Sequence, residues 1–355
     1  MTEHRATVFF AIASLLPAVL LIAGAVRGGL WPLIALFSVT VLVSLMDRIG
    51  PDAKANPALS NRLPRAIGVM HFASLAVTLW VLGAPAHLDT GQSVLLVIAM
   101  GLYAGQVSNA CAHELIHRTD RLSRALGTAV YCSILNGQHV SAHLLIHHVH
   151  AGTARDPNSA PLGRGFYRYA LSATVAEFTD GLRAETRRRR GNSPLSHPYV
   201  AYLGGAALSL LAATGLAGGA GVLALIVIAL HAQMQLLLSD YVQHYGLRRR
   251  ETARGKPEPM GPQHSWNAPQ AYSAAMMLNA PRHSDHHMHP ARAFADLRLN
   301  PAQMPVLPYS VPLMGVIALL PPLWRRLMDP RVRAWYPQPQ SHPVTDPVSS
   351  PLSAK

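Results

Sequence analysis

From Ser93 to His117 the chain reads SVLLVIAMGLYAGQVSNACAHELIH. The part from Ser93 to Cys111 carries no charged side chain. At about 1.5 Å per helical residue it is long enough to cross the hydrocarbon core of a bilayer, about 30 Å thick. It runs into His113-Glu114-Leu115-Ile116-His117. Residues four apart share one helical face, so the two imidazoles can converge on one ion. A membrane span that ends in candidate metal ligands predicts helices in lipid with a polar site at one end.

The rest of the chain repeats the pattern. Apolar blocks run from Val8 to Val26, Leu30 to Met46, Ala66 to Ala84 and Tyr202 to Leu238. The first follows Arg5 but has no convincing signal-cleavage pattern, and the second follows almost at once. The last is long enough to cross twice, with Ala217-Gly218-Gly219-Ala220 suited to the turn. The prediction is an all-α polytopic bundle of about six membrane helices, formed by residues 1–336 as one domain. Composition agrees: half of the 355 residues are hydrophobic and 13% are charged, where soluble chains carry roughly 25%. Pro305 to Trp324 is apolar but holds five prolines, from Pro305 to Pro322. These weaken a helix, so this segment is expected to pack at the interface without spanning. The Pro- and Ser-rich tail from Pro337 is expected to be disordered.

The net charge of +13 could mean nucleic acid, anionic lipid or an acidic partner. Its placement in loops beside apolar blocks fits the Lys/Arg excess of cytoplasmic loops instead, and no nucleic-acid partner is expected. Arg48, Lys54, Arg62 and Arg65 lie between the second and third blocks, whereas Pro85–Gly91 has no Lys or Arg. Arg187–Arg190 follow the fourth block and Arg248–Arg250 the sixth crossing. This asymmetry predicts an inner membrane protein with both termini and both long polar regions in the cytoplasm.

Four groups of histidines fall on that side: His113 and His117; His143, His147 and His148; His244; and His283, His286 and His287. Imidazole suits zinc, copper, iron and nickel. Nine candidates are too many for one structural zinc, which is four-coordinate, and fit two ions with four or five ligands each. HELIH alone also matches the HExxH of a zinc protease with Glu114 as general base, but seven more histidines follow. A metal transporter would need ionisable groups inside the spans, where His71 and His231 are the main candidates. Cys111 and Cys132 form no CxxC pair and are read as small apolar residues. His4, His71, His87, His197, His231 and His342 are taken as ordinary histidines. His139, His150 and His289 lie beside the clusters, either supporting the ligands from behind or as ordinary histidines.

HELIHR (His113–Arg118), the box His143-Leu144-Leu145-Ile146-His147-His148 with Asp156-Pro157-Asn158-Ser159 after it, DYVQHYGL (Asp240–Leu247) and RHSDHH (Arg282–His287) resemble the membrane alkane monooxygenases. That family lies within the fatty-acid desaturase and hydroxylase superfamily. The resemblance implies two non-haem irons held by the nine histidines and terminal hydroxylation of an alkyl chain from the membrane with dioxygen. It also implies electrons from rubredoxin or a ferredoxin and its reductase. The departures are Ala142 and Gln243, where the family often has Glu, and Arg118, where Lys is common. A desaturase, or a lipid or aromatic-methyl hydroxylase of the same superfamily, is the alternative.

A metal-bound histidine usually donates its other N–H to a carboxylate or carbonyl. Glu114, Asp156, Asp240 and Asp285 are the acids near the boxes, expected either in that role or as partners of Arg118 and neighbouring cations. His264, in His264-Ser265-Trp266-Asn267, is expected to support the site from behind. Gly24, Gly83, Gly101, Gly105 and Ser108 could line a substrate channel or serve close helix packing. The chain has no rubredoxin or flavin motif, so a separate acidic carrier is expected to dock on the basic face formed by Arg118, Arg121, Arg124, Arg187–Arg190 and Arg248–Arg250, although some of these arginines, Arg187–Arg190 first, are expected to serve lipid head groups instead.

Overall fold

The computed structural model describes residues 3–49, 59–84, 87–253 and 255–336. The tail from Pro337, His342, Lys54 and part of the Pro85–Gly91 loop lie outside the described residues. Among those described there are helices and isolated bridges but no strand.

Helix α1 (Glu3–Arg27) packs against α2 (Trp31–Ser38) and α4 (Arg62–Gly83). Between α2 and α3 (Val41–Ile49) the second predicted span is bent by 45°. Ser38 Oγ donates to Ala35 O at 2.6 Å and Thr40 Oγ1 to Leu36 O at 2.7 Å. Such back-bonding hydroxyls compete with the helical ladder and bend it.

The deciding stretch is longer than its apolar part. Helix α5 (Thr90–Tyr103) starts at Asp89, whose carboxylate accepts from Gln92 N at 2.8 Å. It passes through a π-helical turn (Ala104–Ser108) into α6 (Asn109–Ile116), one run of 27 residues. His113 is therefore on the span's last turns, not beyond its end. Apolarity stops at the membrane boundary, but backbone hydrogen bonding does not.

Amphipathic α7 (Arg121–Ser133) and the short α8 (His139–Ala142) and α9 (His148–His150) cover one end of the bundle. Then come α10 (Phe166–Arg188) and α11 (Pro198–His244), which has 47 residues. Helix α11 is a hairpin. Gly218, at φ 56° and ψ −141°, takes a conformation open to glycine alone. A Cβ on Gly221 would run into Ala213 O, although eight residues of straight helix measure about 12 Å. Tyr202 on the first leg packs on Gly137, and Gln233 on the second donates to Ile134 O at 2.9 Å. The legs are thus antiparallel, and both begin or end at the α7–α8 end. With α1, the bent α2–α3 pair, α4 and α5–α6, they make six crossings. The second leg continues without a break to His244, which therefore ends the span rather than following it.

Outward-facing Ile12, Val19, Val69, Trp80, Val94, Leu208, Leu211, Leu223 and Leu230 are exposed, as apolar side chains are where lipid replaces water. Inside, the small residues serve packing. A Cβ on Gly101 would lie 2.6 Å from His231 Nδ1, and one on Gly83 2.7 Å from Ala217 Cα. Ser108 Oγ lies 2.9 Å from His71 Nδ1, and Ser133 Oγ 2.7 Å from its Nε2, so His71 is a satisfied core histidine. The proline-rich segment forms α14 (Val311–Ala318) and α15 (Pro321–Trp335). At about 1.5 Å per residue, the apolar α14 is far too short to span. Helices α12 (Ala271–Met276) and α13 (His283–Met288) complete the histidine end.

Candidate metal centre

Each histidine box reaches the centre from the end of a helix, and local helix geometry decides which ion position it serves. In an α-helix, residues five apart point about 140° from each other. His143–His147 form a π turn. Bonding five residues back takes roughly 4.4 residues per turn, which brings positions five apart to roughly 50°. His143 and His148 therefore point the same way, with their Nε2 atoms 2.9 Å apart, while His147 turns elsewhere.

The structure brings all nine sequence-predicted histidines into two groups. The first holds His113, His117, His143, His148 and His286, and the second His147, His244, His283 and His287; within each group the nitrogens lie within 4.8 Å of one another. In the first, His117 Nε2 is 3.0 Å from His143 Nε2, and His286 Nε2 is 3.2 Å from His148 Nε2. In the second, His283 Nε2 is 2.9 Å from His244 Nε2 and 3.0 Å from His287 Nε2. Ligands about 2.1 Å from one metal ion stand about 3.0 Å apart at right angles. One proton between two nitrogens satisfies a pair, but His143 and His283 each face two neighbours. An ion satisfies them all, so the donor set fits a metal in each group.

The groups are side by side: His148 and His287 stand with ring centroids 4.7 Å apart. Helix α13 serves both, sending His286 to the first and His283 and His287 to the second. The second group is buried throughout, whereas His113, His117 and His148 in the first are half-buried.

Electrostatics prepare neutral ligands. Burial, reinforced by neighbouring histidines, pushes His117 down to about 4 and His283 to about 3, with His143, His148, His286 and His287 also well below the usual range. His147 differs. Burial lowers it, but the Asp156 carboxylate, joined by Asp240 and Glu177, outweighs burial and lifts it to about 9. Its Nδ1 lies 3.0 Å from Asp156 Oδ2, and its buried Nε2 has no protein partner.

Asp156 alone of the four acids touches a histidine of either group. Its carboxylate also accepts from Ser159 Oγ at 2.6 Å and Asn158 N at 3.1 Å. Glu114 turns to Arg118 and to Phe294 N, at 3.1 Å from the latter. Asp285 pairs with Arg292 and with His289 Nδ1 at 3.0 Å. Both take the alternative role, as partners of nearby cations. Asp240 accepts from Asn158 Nδ2 at 2.6 Å. His264 is buried outside both groups, its Nδ1 accepting from Gly261 N and its Nε2 facing Glu258, each at 2.9 Å. His139 stacks beside His143 and faces Glu177 at 3.5 Å; His150 joins neither group.

A family model described as fatty acid desaturase matches residues 91–316, more than half the chain and every histidine of the two groups. An alkane 1-monooxygenase 2 of Pseudomonas aeruginosa is 30% identical over 322 residues, 86% of this chain and 85% of the relative. The chain belongs to the membrane alkane 1-monooxygenase family. It is thereby a membrane oxidoreductase of the monooxygenase type, built around non-haem iron. An alkane 1-monooxygenase of Pseudomonas putida is 30% identical over 75% of this chain and 66% of its own length. The xylene/toluene monooxygenase hydroxylase component of Pseudomonas putida is 29% identical over 67% of this chain and 64% of its own.

Within this alkane-monooxygenase chain the departures have visible surroundings. Ala142 is buried, with its backbone close against Gly181 of α10, where an added Cβ would lie 3.2 Å from Ala142 N. Gln243 accepts from Ser239 Oγ at 2.9 Å and donates to Ala280 O at 3.3 Å. Arg118 holds Glu114 and donates to Ser60 O at 2.7 Å, so its charge is spent inside the protein.

Sequence reasoning missed Glu177. It is buried on α10, facing His139 and bound by Asn158 Nδ2, which also holds Asp240. The one available signal was a carboxylate within the row Phe166, Tyr169, Ala173, Glu177, Gly181 that α10 buries.

Proposed function

We propose that the chain hydroxylates an alkane at its terminal carbon, using two iron ions, dioxygen, and electrons from a separate rubredoxin or ferredoxin served by a reductase. The observation that carries this is the pair of histidine groups, five and four strong, side by side at the end of a bundle with an apolar exterior. His113, His117, His143, His148 and His286 would hold one iron, and His147, His244, His283 and His287 the other. Bound there, the metal pair supplies the activation of dioxygen, which is chemistry no side chain here can perform.

The chain's own residues do the rest. Asp156 fixes the His147 ring so that Nε2 faces the second position. The π turn at His143–His147 divides one box between two ions. The crossings exclude bulk water and present an apolar exterior through which an alkyl chain can arrive from lipid. Loop charges support an inner-membrane placement with this end, and both termini, in the cytoplasm.

The xylene/toluene relative favours one second reading, hydroxylation of an aromatic methyl group. The test is purified protein in lipid with an electron source, assayed for metal content and for products from n-octane and xylene. Two irons per chain with 1-octanol formed supports the proposal. A methylbenzyl alcohol without octanol selects the second reading. One zinc and no iron overturns both.

A further inference from the structure

Helix α10 divides its circumference into three sectors. Phe166, Tyr169, Ala173, Glu177 and Gly181 face the protein. Tyr167, Leu171, Val175 and Phe178, with Thr174 beside them, form an exposed row at helical spacing, with Leu171 73%, Tyr167 59% and Val175 58% exposed. Arg168, Ser172, Arg183 and Thr186 form a third, polar sector, also exposed. A helix packed on a protein in water needs only a buried face and a polar face. The additional apolar row needs a third environment.

The helix is pinned to one face of the bundle just before its start and near its middle. Tyr241, in the last turn of α11, donates from its hydroxyl to Arg164 O at 2.6 Å, just before α10 starts. Tyr199, in the first turn of α11, donates to Phe178 O at 2.9 Å. Because α11 is a hairpin, its first and last turns lie at the same membrane face. Helix α10 therefore lies along that face. The apolar row continues onto α14–α15, where Tyr167 Oη donates to Leu319 O at 2.9 Å and Val316, Leu320 and Leu323 are exposed. At the C-terminal end of α10, Arg187, Arg188 and Arg190 are exposed and form no ion pair among the described residues, whereas Arg189 is held by Glu185.

We propose that α10 is an in-plane membrane-surface helix, with the Tyr167–Phe178 row in the acyl region and Arg187, Arg188 and Arg190 on the phosphates of anionic phospholipid. An amphipathic helix in the interface buries its apolar face among acyl chains and places basic residues at the head groups. An acidic protein would suit the arginines but leave the apolar row in water; a lipid surface suits both. The contact also steadies the site indirectly, because the buried face of α10 packs on α8 and the π turn that carries His143 and His147.

The test uses the full chain in nanodiscs of phosphatidylcholine with or without phosphatidylglycerol, and depends on neither metal nor turnover. Nitroxides are placed at Leu171→Cys or Thr174→Cys, and at Arg168→Cys or Arg183→Cys. The first pair should collide mainly with oxygen and the second mainly with aqueous chromium oxalate. Equal aqueous access at all four sites overturns the in-plane placement. Spin-labelled phosphatidylglycerol should associate several-fold more than phosphatidylcholine, and the preference should fall by at least half in the Arg187→Gln/Arg188→Gln/Arg190→Gln variant. An unchanged preference overturns the assignment of those arginines to lipid.

Discussion

His147 and Asp156 form a buried pair in which the carboxylate meets Nδ1 at 3.0 Å, while Nε2 of the same ring is left without a protein partner and turned toward His244, His283 and His287. The carboxylate sets the ring's orientation and raises its basicity, which strengthens it as a ligand.

Asp156→Asn should therefore weaken the second position selectively. The expected loss is about 10–100-fold in metal affinity there, with the first group keeping its ion. Titrating apoprotein with ferrous ion under argon should show one tight and one weakened site. Two unaltered sites would mean that Asp156 only braces the loop through Ser159 and Asn158.

Because α13 divides its histidines, ligand removal should also divide. His117→Ala should cost the first ion, and His244→Ala or His287→Ala the second, each leaving about one iron per chain on elemental analysis and abolishing turnover. His71→Leu is the contrast. It orphans the Ser108 hydroxyl, costing roughly 1–3 kcal/mol, while Ser133 keeps its bond to Val130 O, so melting should fall while iron content stays. Equal iron loss in all four variants would show that the histidines act only through folding.

These tests separate what the sequence makes legible from what it hides. His113 and His117, four apart at the end of an uncharged run, announce both the membrane and the metal, because helical spacing and apolar length are one-dimensional properties. The assignment of His143 and His148 to one group and His147 to the other was not legible, since it depends on a π turn that no spacing rule encodes. The 45° bend at Ser38–Thr40 was hidden too, inside an apolar run that reads as straight. Asp240 and Asp285 lie near the boxes in sequence, yet side-chain direction sends one to Asn158 and the other to Arg292. Glu177 comes from a distant helix and is brought in by tertiary packing alone.

The loop that follows the sixth crossing should loosen in acid. Burial holds His264 below its ordinary value of 6.5, although Glu258 opposes the shift. The folded state then binds fewer protons than the unfolded one between 6.5 and that lowered value. Stability is complete above 6.5 and declines as pH falls through this window. Glu258 is itself lowered: burial raises it, but the Arg250 N–H and His264 outweigh burial. It adds a second loss below 4.5 in the same direction. Hydrogen exchange at Gly261 N, which donates to neutral His264 Nδ1, should quicken between pH 7 and 5 beyond the intrinsic trend. In His264→Gln that pH-dependent increment should vanish; its persistence would place the acid response elsewhere.

Electron delivery gives the last prediction, and here the structure changes which arginines can be tested. Arg248 is largely buried, donating to Thr153 O at 2.7 Å and Ser159 O at 3.0 Å. Arg249 donates from its side chain to Glu258 O at 2.5 Å and from its backbone N–H to Gly152 O at 2.8 Å. Both fasten the loop that carries Asp156, so they cannot serve as free docking charges in the way their sequence position suggests. Arg121 and Arg124, at the start of α7, are exposed and form no ion pair among the described residues. If an acidic carrier is steered to this end by charge, its oxidation rate should fall steeply with salt, because the screening length shrinks from about 10 Å at 0.1 M to about 3 Å at 1 M. Arg121→Gln/Arg124→Gln should lower the second-order rate severalfold at low salt and flatten its salt dependence, with iron content unchanged. Arg248→Gln should instead lower activity at every salt concentration and lower iron content with it, since it loosens the Asp156 loop. Stopped-flow oxidation of reduced rubredoxin by each variant, alongside metal analysis, tells the two apart. A rate indifferent to salt in the unaltered protein would exclude charge steering and leave these arginines without a role in carrier docking.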